Sequence, residues 1–407
     1  MFYYLKKNFS VLHFCLFFIL FNLFSTNTWA DKKAVKLGFV ADVTGPGFLI
    51  TLSQKNALEL GIEEINSTGG LLGRKVELII RDSQMKPELG AVLARDLILR
   101  DKVDFMIGPT SPAVALMVSQ VCKDNKKLIY FHGANIEKIT AEQGHRYLYQ
   151  VIPNTYMEGQ AVAVFLSKKI IKKIAIIGPD IEYGHSQANA FKKKLAEINP
   201  SAQVVKEVWP KLGEQDYTHD IAALLASRPD LVYAILWSGD LAGFIRQARA
   251  GGMFQNVPMI GFFDYDLLKG LGADMIPNLY GFDFAPFYAL SNPQIKAFTE
   301  KYKTRTGEFP SAWAITAYDG LMVLRKAVEK ARSLETEKVI TALEGLQWDS
   351  LRGPLYIRPL DHMANCGLYF GITYKDPKYS FFTLKNTSYI PGQEVWHSPE
   401  EIKALRK

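Results

Sequence analysis

From Ala34 onward, short apolar runs alternate with longer stretches whose apolar residues recur every three or four positions. Residues 35–40 read as a strand. Residues 54–66 read as a helix, with Leu58, Ile62 and Ile65 on one face and Gly69-Gly70 as its stop. The alternation continues with strands at 76–80, 105–107 and 128–131 and helices at 89–99 and 112–122. It then restarts, with helices at 156–167, 186–198, 218–226 and 241–250 and strands at 173–177, 204–208, 231–236 and 259–261. Strands alternating with helices predict parallel sheets covered on both faces, here as two doubly wound domains.

The turn-rich stretch 144–153 is the first expected crossing between the domains. After Phe282 come a helix carrying Ile295, Phe298 and Tyr302, helices at 312–331 and 337–346, and strand-like 353–357 and 368–373. This last third is too small and too interrupted to stand alone. It must complete the two domains already begun, so the chain has to cross between them more than once. Fixed-period repeats and low-complexity segments are absent.

Composition adds limits. A chain of 407 residues, 48% hydrophobic and 22% charged, is neither disordered nor collagen-like and has the length of two domains. The formal charge of +7 includes Lys6 and Lys7, and without these two, 46 basic residues face 41 acidic ones. No basic block interleaved with aromatics follows, which argues against nucleic acid as a partner.

Residues 1–30 combine those lysines, an apolar run at 11–24 and a polar end closing on Ala30. That is the pattern of a secretory signal peptide cleaved before Asp31. An uncleaved anchor is the competing reading, but the run, interrupted by Asn22, is short for a bilayer. Cys15 lies within it. Cys122 and Cys366 remain after processing, and two separate buried thiols are expected rather than a bridge.

Chemistry in such sheets gathers beyond the carboxyl ends of the strands. The loops expected there are 42–48, 108–112, 132–135, 178–184, 237–240 and 262–264. No nucleophile elbow, zinc helix, P-loop or dinucleotide fingerprint occurs, and the seven histidines lack paired spacing. The sequence therefore predicts no enzyme, no catalytic residue, no metal and no cofactor. His132 and the pair Asp361-His362 read as structural.

The stretch Gly61-Ile62-Glu63-Glu64-Ile65-Asn66-Ser67-Thr68-Gly69-Gly70-Leu71-Leu72-Gly73-Arg74 resembles the helix and Asn-x-x-Gly-Gly turn of the branched-chain amino-acid binding proteins. These are type I periplasmic solute-binding components of ABC importers. Ile107-Gly108-Pro109 with Ser111, Glu182-Tyr183-Gly184, Ile245-Arg246-Gln247-Ala248-Arg249 and Ala317-Tyr318-Asp319-Gly320 are similar to the family's later landmarks, in the same order. The likeness spans roughly residues 35–374.

The resemblance implies two doubly wound α/β lobes joined by a three-crossing hinge, residues 31–152 with 285–347 forming one and 153–284 with 348–395 the other. It implies a periplasmic carrier that closes on a small amino acid, a branched-chain one first, and delivers it to ABC permease subunits. Ser111 would offer its hydroxyl and N–H to an α-carboxylate, helped by main-chain groups of Gly133 and Asn135. Tyr183, Trp237, Phe263 or Asp264, and Trp313 match positions that contact the solute, with Asp264 as acceptor for an ammonium. The family's acidic position could equally fall on Phe263, which leaves amino-acid specificity open. With Phe48, the rings also suit an aromatic carboxylate or amide, and a ligand-sensing receptor is a further alternative. Each residue has a plainer reading: Ser111 and Asp264 as helix caps, the rings as core rim.

Overall fold

A computed structural model describes residues 33–45 and 47–407; the expected signal peptide and Cys15 lie outside them. Strand β1 (Val35–Ala41) is buried along nearly its whole length, as an apolar run broken only by Lys36 requires of a strand covered on both faces. It lies between β2 (Val76–Asp82) and β3 (Phe105–Ile107), followed by β4 (Ile129–Phe131) and β5 (Leu148–Gln150), all parallel. The order is β2-β1-β3-β4-β5. Connecting helices are α1 (Phe48–Ser67), α2 (Pro87–Leu99), α3 (Pro112–Asp124) and the short α4 (Glu137–Thr140). The stretch 144–153, expected only to turn, contains β5; a three-residue strand is too short to show a period.

The second sheet collects β6 (Lys173–Ile177), β7 (Gln203–Val208), β8 (Leu231–Ala234), β9 (Met259–Phe262), β10 (Tyr280–Asp283), β13 (Leu368–Lys375) and β14 (Phe382–Ile390). Its order is β14-β13-β10-β9-β8-β6-β7, antiparallel at β10/β13 and β13/β14 and parallel elsewhere. Its helices are α5 (Thr155–Ser167), α6 (Glu182–Ile198), α7 (Thr218–Ala226), α8 (Ser238–Ala250) and α9 (Tyr265–Leu271). α5 and α6 approach so closely that a Cβ on Gly159 would stand 2.3 Å from the Gln187 carbonyl oxygen.

Past β10 the chain forms α10 (Pro293–Thr306), α11 (Ala312–Ala331) and α12 (Thr336–Leu343), and α11 packs along α1 of the first lobe. The ribbon β11 (Gln347–Ser350) and β12 (Gly353–Tyr356) also touches α11, on the other side of the boundary expected at 348. The chain thus passes between lobes after β5, after β10 and after β12. The first and third passages run side by side: Gln150 N–H donates to the His362 carbonyl at 3.1 Å, and Ala364 N–H to that of Gln150 at 2.8 Å. Arg352, buried, staples them. Its Nε donates to Asp319 Oδ2 at 2.8 Å and its Nη2 to the Val151 carbonyl at 2.7 Å. Asp361 pairs with Arg358, and His362 Nδ1 lies 2.8 Å from the Leu148 carbonyl, so both belong to this hinge. Cys122 and Cys366 are separate buried thiols.

The C-terminal helix α13 (Pro399–Leu405), opened by a Ser398/Glu401 capping box, straps the hinge side. His397 Nε2 lies 2.7 Å from Glu137 of the first lobe, and Lys193 of α6 is 2.6 Å from Glu401.

Candidate ligand cleft

In the first sheet the strand order reverses between β1 and β3, which opens a crevice at their carboxyl ends. Ser111, the residue before α3, borders it. Its extended backbone (φ −63°, ψ 122°) turns the chain into the helix, yet its hydroxyl makes no capping bond. Its N–H is engaged: it donates to Asp42 Oδ2 at 2.7 Å, across the reversal. The backbone donor expected to meet a solute carboxylate is therefore already bound to a carboxylate of the chain itself. The Ser83 hydroxyl donates to the other Asp42 oxygen. Burial pushes the Asp42 pKa up, and these bonds oppose the rise.

Gly133 follows β4. A Cβ there would come within 2.7 Å of Gln54 Nε2 and 3.2 Å of Thr110 Oγ1, so a larger residue would push the Gln54 amide aside. Thr110 donates its hydroxyl to Gln54 Oε1 at 3.0 Å. Asn135, two residues on, reaches across to the second lobe, where its amide donates to Glu158 Oε1 of α5. The other oxygen of Glu158 accepts from the Tyr183 hydroxyl at 3.4 Å. Glu158 is fully buried, and that burial raises its pKa well above the usual carboxylate range.

The second sheet reverses between β6 and β8. Tyr183, in the first turn of α6, and Trp237, before α8, stand on either side of that reversal. Their rings meet edge to face, with centroids 4.8 Å apart. Ser238 follows with φ +48°, a left-handed conformation costly for a non-glycine residue and found where surrounding structure fixes a site. The loop after β4 in the first lobe and the reversal of the second sheet are thus joined by one hydrogen-bonded run, Asn135 to Glu158 to Tyr183, which ends on Trp237.

A second cluster lies where α9 and α11 begin. Asp264 caps α9, accepting the Leu267 N–H at 3.0 Å. Trp313 lies among the rings of Phe262 and Phe284, with centroids 5.6 and 5.7 Å away. Burial raises the Asp264 pKa, and it raises that of Asp266, against which the Asp264 charge also acts. Asp283 is buried and raised in the same way.

The expected site residues therefore divide. Ser111 and Gly133 share the first-lobe rim, Asn135, Tyr183 and Trp237 form the bridging run, and Asp264 and Trp313 form the second cluster. Phe48, at the start of α1, is 45% exposed, and Phe263 is fully buried, its ring over Gly281 inside the second sheet. Asp42, Gln54 and Glu158 were not singled out from the sequence. Glu158 alone left a trace, as the one charged residue within the apolar run 156–166.

A Leu/Ile/Val-binding protein homolog 7 from Brucella abortus (strain 2308) is 28% identical over 328 residues, covering 77% of this chain and 81% of that protein. Among solved structures, an ABC-type branched-chain amino acid transporter protein from Rhodopseudomonas palustris CGA009 superposes with a TM-score of 0.75 at 24% identity. That match covers 89% of this chain and 98% of the other. A solute-binding protein of an R. palustris ABC transporter, in complex with 4-hydroxybenzoate, gives 0.82 at 21% identity, covering 90% and 99%. At such identities the structural likenesses speak for the fold alone. The periplasmic binding protein family matches residues 34–373, and with these two sheets facing across a three-passage hinge, the chain belongs to that family of solute-binding proteins.

Proposed function

We propose that the protein is the extracytoplasmic solute-binding component of an ABC importer. It takes a small solute with a polar head and an apolar body between its lobes and hands it to membrane permease subunits. The observation that carries this reading is the run Asn135–Glu158–Tyr183–Trp237, which joins the polar rim of one lobe to the aromatic rim of the other. A solute touching both rims stabilises the closed arrangement, because only closure brings the second set of contacts to it.

A branched-chain amino acid is the first candidate for the solute, supported by the name of the Brucella relative. The edge-to-face pair of Tyr183 and Trp237 favours a second reading, a flat aromatic solute, which the 4-hydroxybenzoate held by a structural neighbour also supports. Thermal unfolding with leucine, isoleucine, valine, phenylalanine, their amides and hydroxybenzoates separates the two. At a hundredfold excess over its Kd the right class adds about 2.7 kcal/mol to stability. Tyr183→Ala is expected to weaken that ligand at least tenfold. A panel without effect on the melting temperature rejects the carrier reading.

A further inference from the structure

The reversal between β1 and β3 is where an open sheet of this order receives a ligand, and a helix N-terminus beside it ordinarily receives the anionic end. Here that position is filled from within. Asp42 is fully buried, with one oxygen on the Ser111 N–H and the other on the Ser83 hydroxyl. The neighbouring strand ends in a second carboxylate, Asp82, which accepts from Val43 N–H at 3.0 Å and from the Thr44 hydroxyl at 2.7 Å. Among the described residues neither acid is paired with a lysine or arginine.

An independent feature lies on the same rim. Gln54, fully buried, spends its carbonyl oxygen on the Thr110 hydroxyl, and its Nε2 donor beside Gly133 has no partner.

We infer that Asp42 occupies the anion position of the first lobe, and that the solute meets this rim with an N–H donor, an amide or amine, and not with a carboxylate. The inference rests on the carrier reading and narrows its solute. A carboxylate arriving here finds the Ser111 N–H taken and a like charge beside it, in a site where charges interact more strongly than in water. An N–H group instead meets the negative field of Asp42 and Asp82, which no lysine or arginine among the described residues offsets. A primary amide adds to its N–H a carbonyl acceptor, the kind of group that the unpartnered Gln54 donor on this rim lacks.

Calorimetric titration of the purified protein with matched sets provides the test: 4-methylpentanoate, 4-methylpentanamide and isopentylamine, then benzoate, benzamide and benzylamine. In at least one set the amide or amine is expected to bind ten times or more tighter than the carboxylate. Asp42→Asn is expected to erase or reverse that ratio. Carboxylates binding as tightly as their amides and amines, or a ratio unchanged in the variant, overturn the inference while the carrier reading stands. Silence from every compound, with leucine and 4-hydroxybenzoate silent too, overturns both. If leucine or 4-hydroxybenzoate binds while every member of both sets is silent, the donor-head inference alone falls. Should the variant not fold, the wild-type ratio decides alone.

Discussion

His132 sits fully buried between Phe39 and Tyr130, with neither ring nitrogen hydrogen-bonded, and burial lowers its pKa to about 3. The folded protein therefore refuses a proton that the unfolded chain takes up near the ordinary value of 6.5. The stability contributed by keeping the ring neutral is complete above pH 6.5 and is lost as the pH falls towards 3. His132→Phe removes this dependence, whereas the buried carboxylates, which act in the opposite direction, remain in both proteins. Urea unfolding at pH 6.5 and 5 should show the wild type losing about 2 kcal/mol more than the variant. At this scale the positions of Ser111, Tyr183 and Trp237 at the starts of helices were legible, because the loops after their strands are recognisable. Asp42 stood in one of those loops, but its bond to Ser111 joins residues brought together only by the pairing of β1 with β3.

At the scale of elements, α5 and α6 carry Glu158 and Tyr183, and their separation is set by Gly159. A methyl group there would meet the Gln187 carbonyl and the Phe191 amide nitrogen, backbone atoms that cannot turn aside. Gly159→Ala should cost about 1–3 kcal/mol in denaturant unfolding. It should also weaken ligand binding by moving the Glu158 carboxyl off the Tyr183 hydroxyl, whereas Ala at the open Gly270 should do neither. Helices were readable to the residue in places, α11 at 312–331 and α7 at 218–226 among them, and in α11 a buried stripe repeats over several turns. β10 and β14 were not. β10 has four residues and a glycine, and five consecutive exposed residues along β14 break the alternation a reader relies on.

For the whole molecule the decisive interaction is the buried pair Arg352–Asp319. It ties α11 to the third passage and, through the Val151 carbonyl, to the first. Asp319→Asn leaves a buried guanidinium uncompensated and should cost about 3–5 kcal/mol, measured as a lowered urea midpoint with an unchanged slope if both lobes still unfold together. That two lobes exist was legible in the restarted alternation of strands and helices. Which later segment joins which lobe was less so, since the ribbon β11/β12 lies on α11 by contacts no local pattern announces.

The interleaving of the lobes has a consequence for synthesis. The first sheet is complete in strands by residue 150, but the helix that covers α1 ends only at Ala331, and the second sheet waits for Ile390. A nascent chain of three hundred residues thus holds two unfinished halves, each with bare apolar surface. The polypeptide should stay pliable, and open to chaperones or a translocation channel, until the last strand of the second sheet has been made.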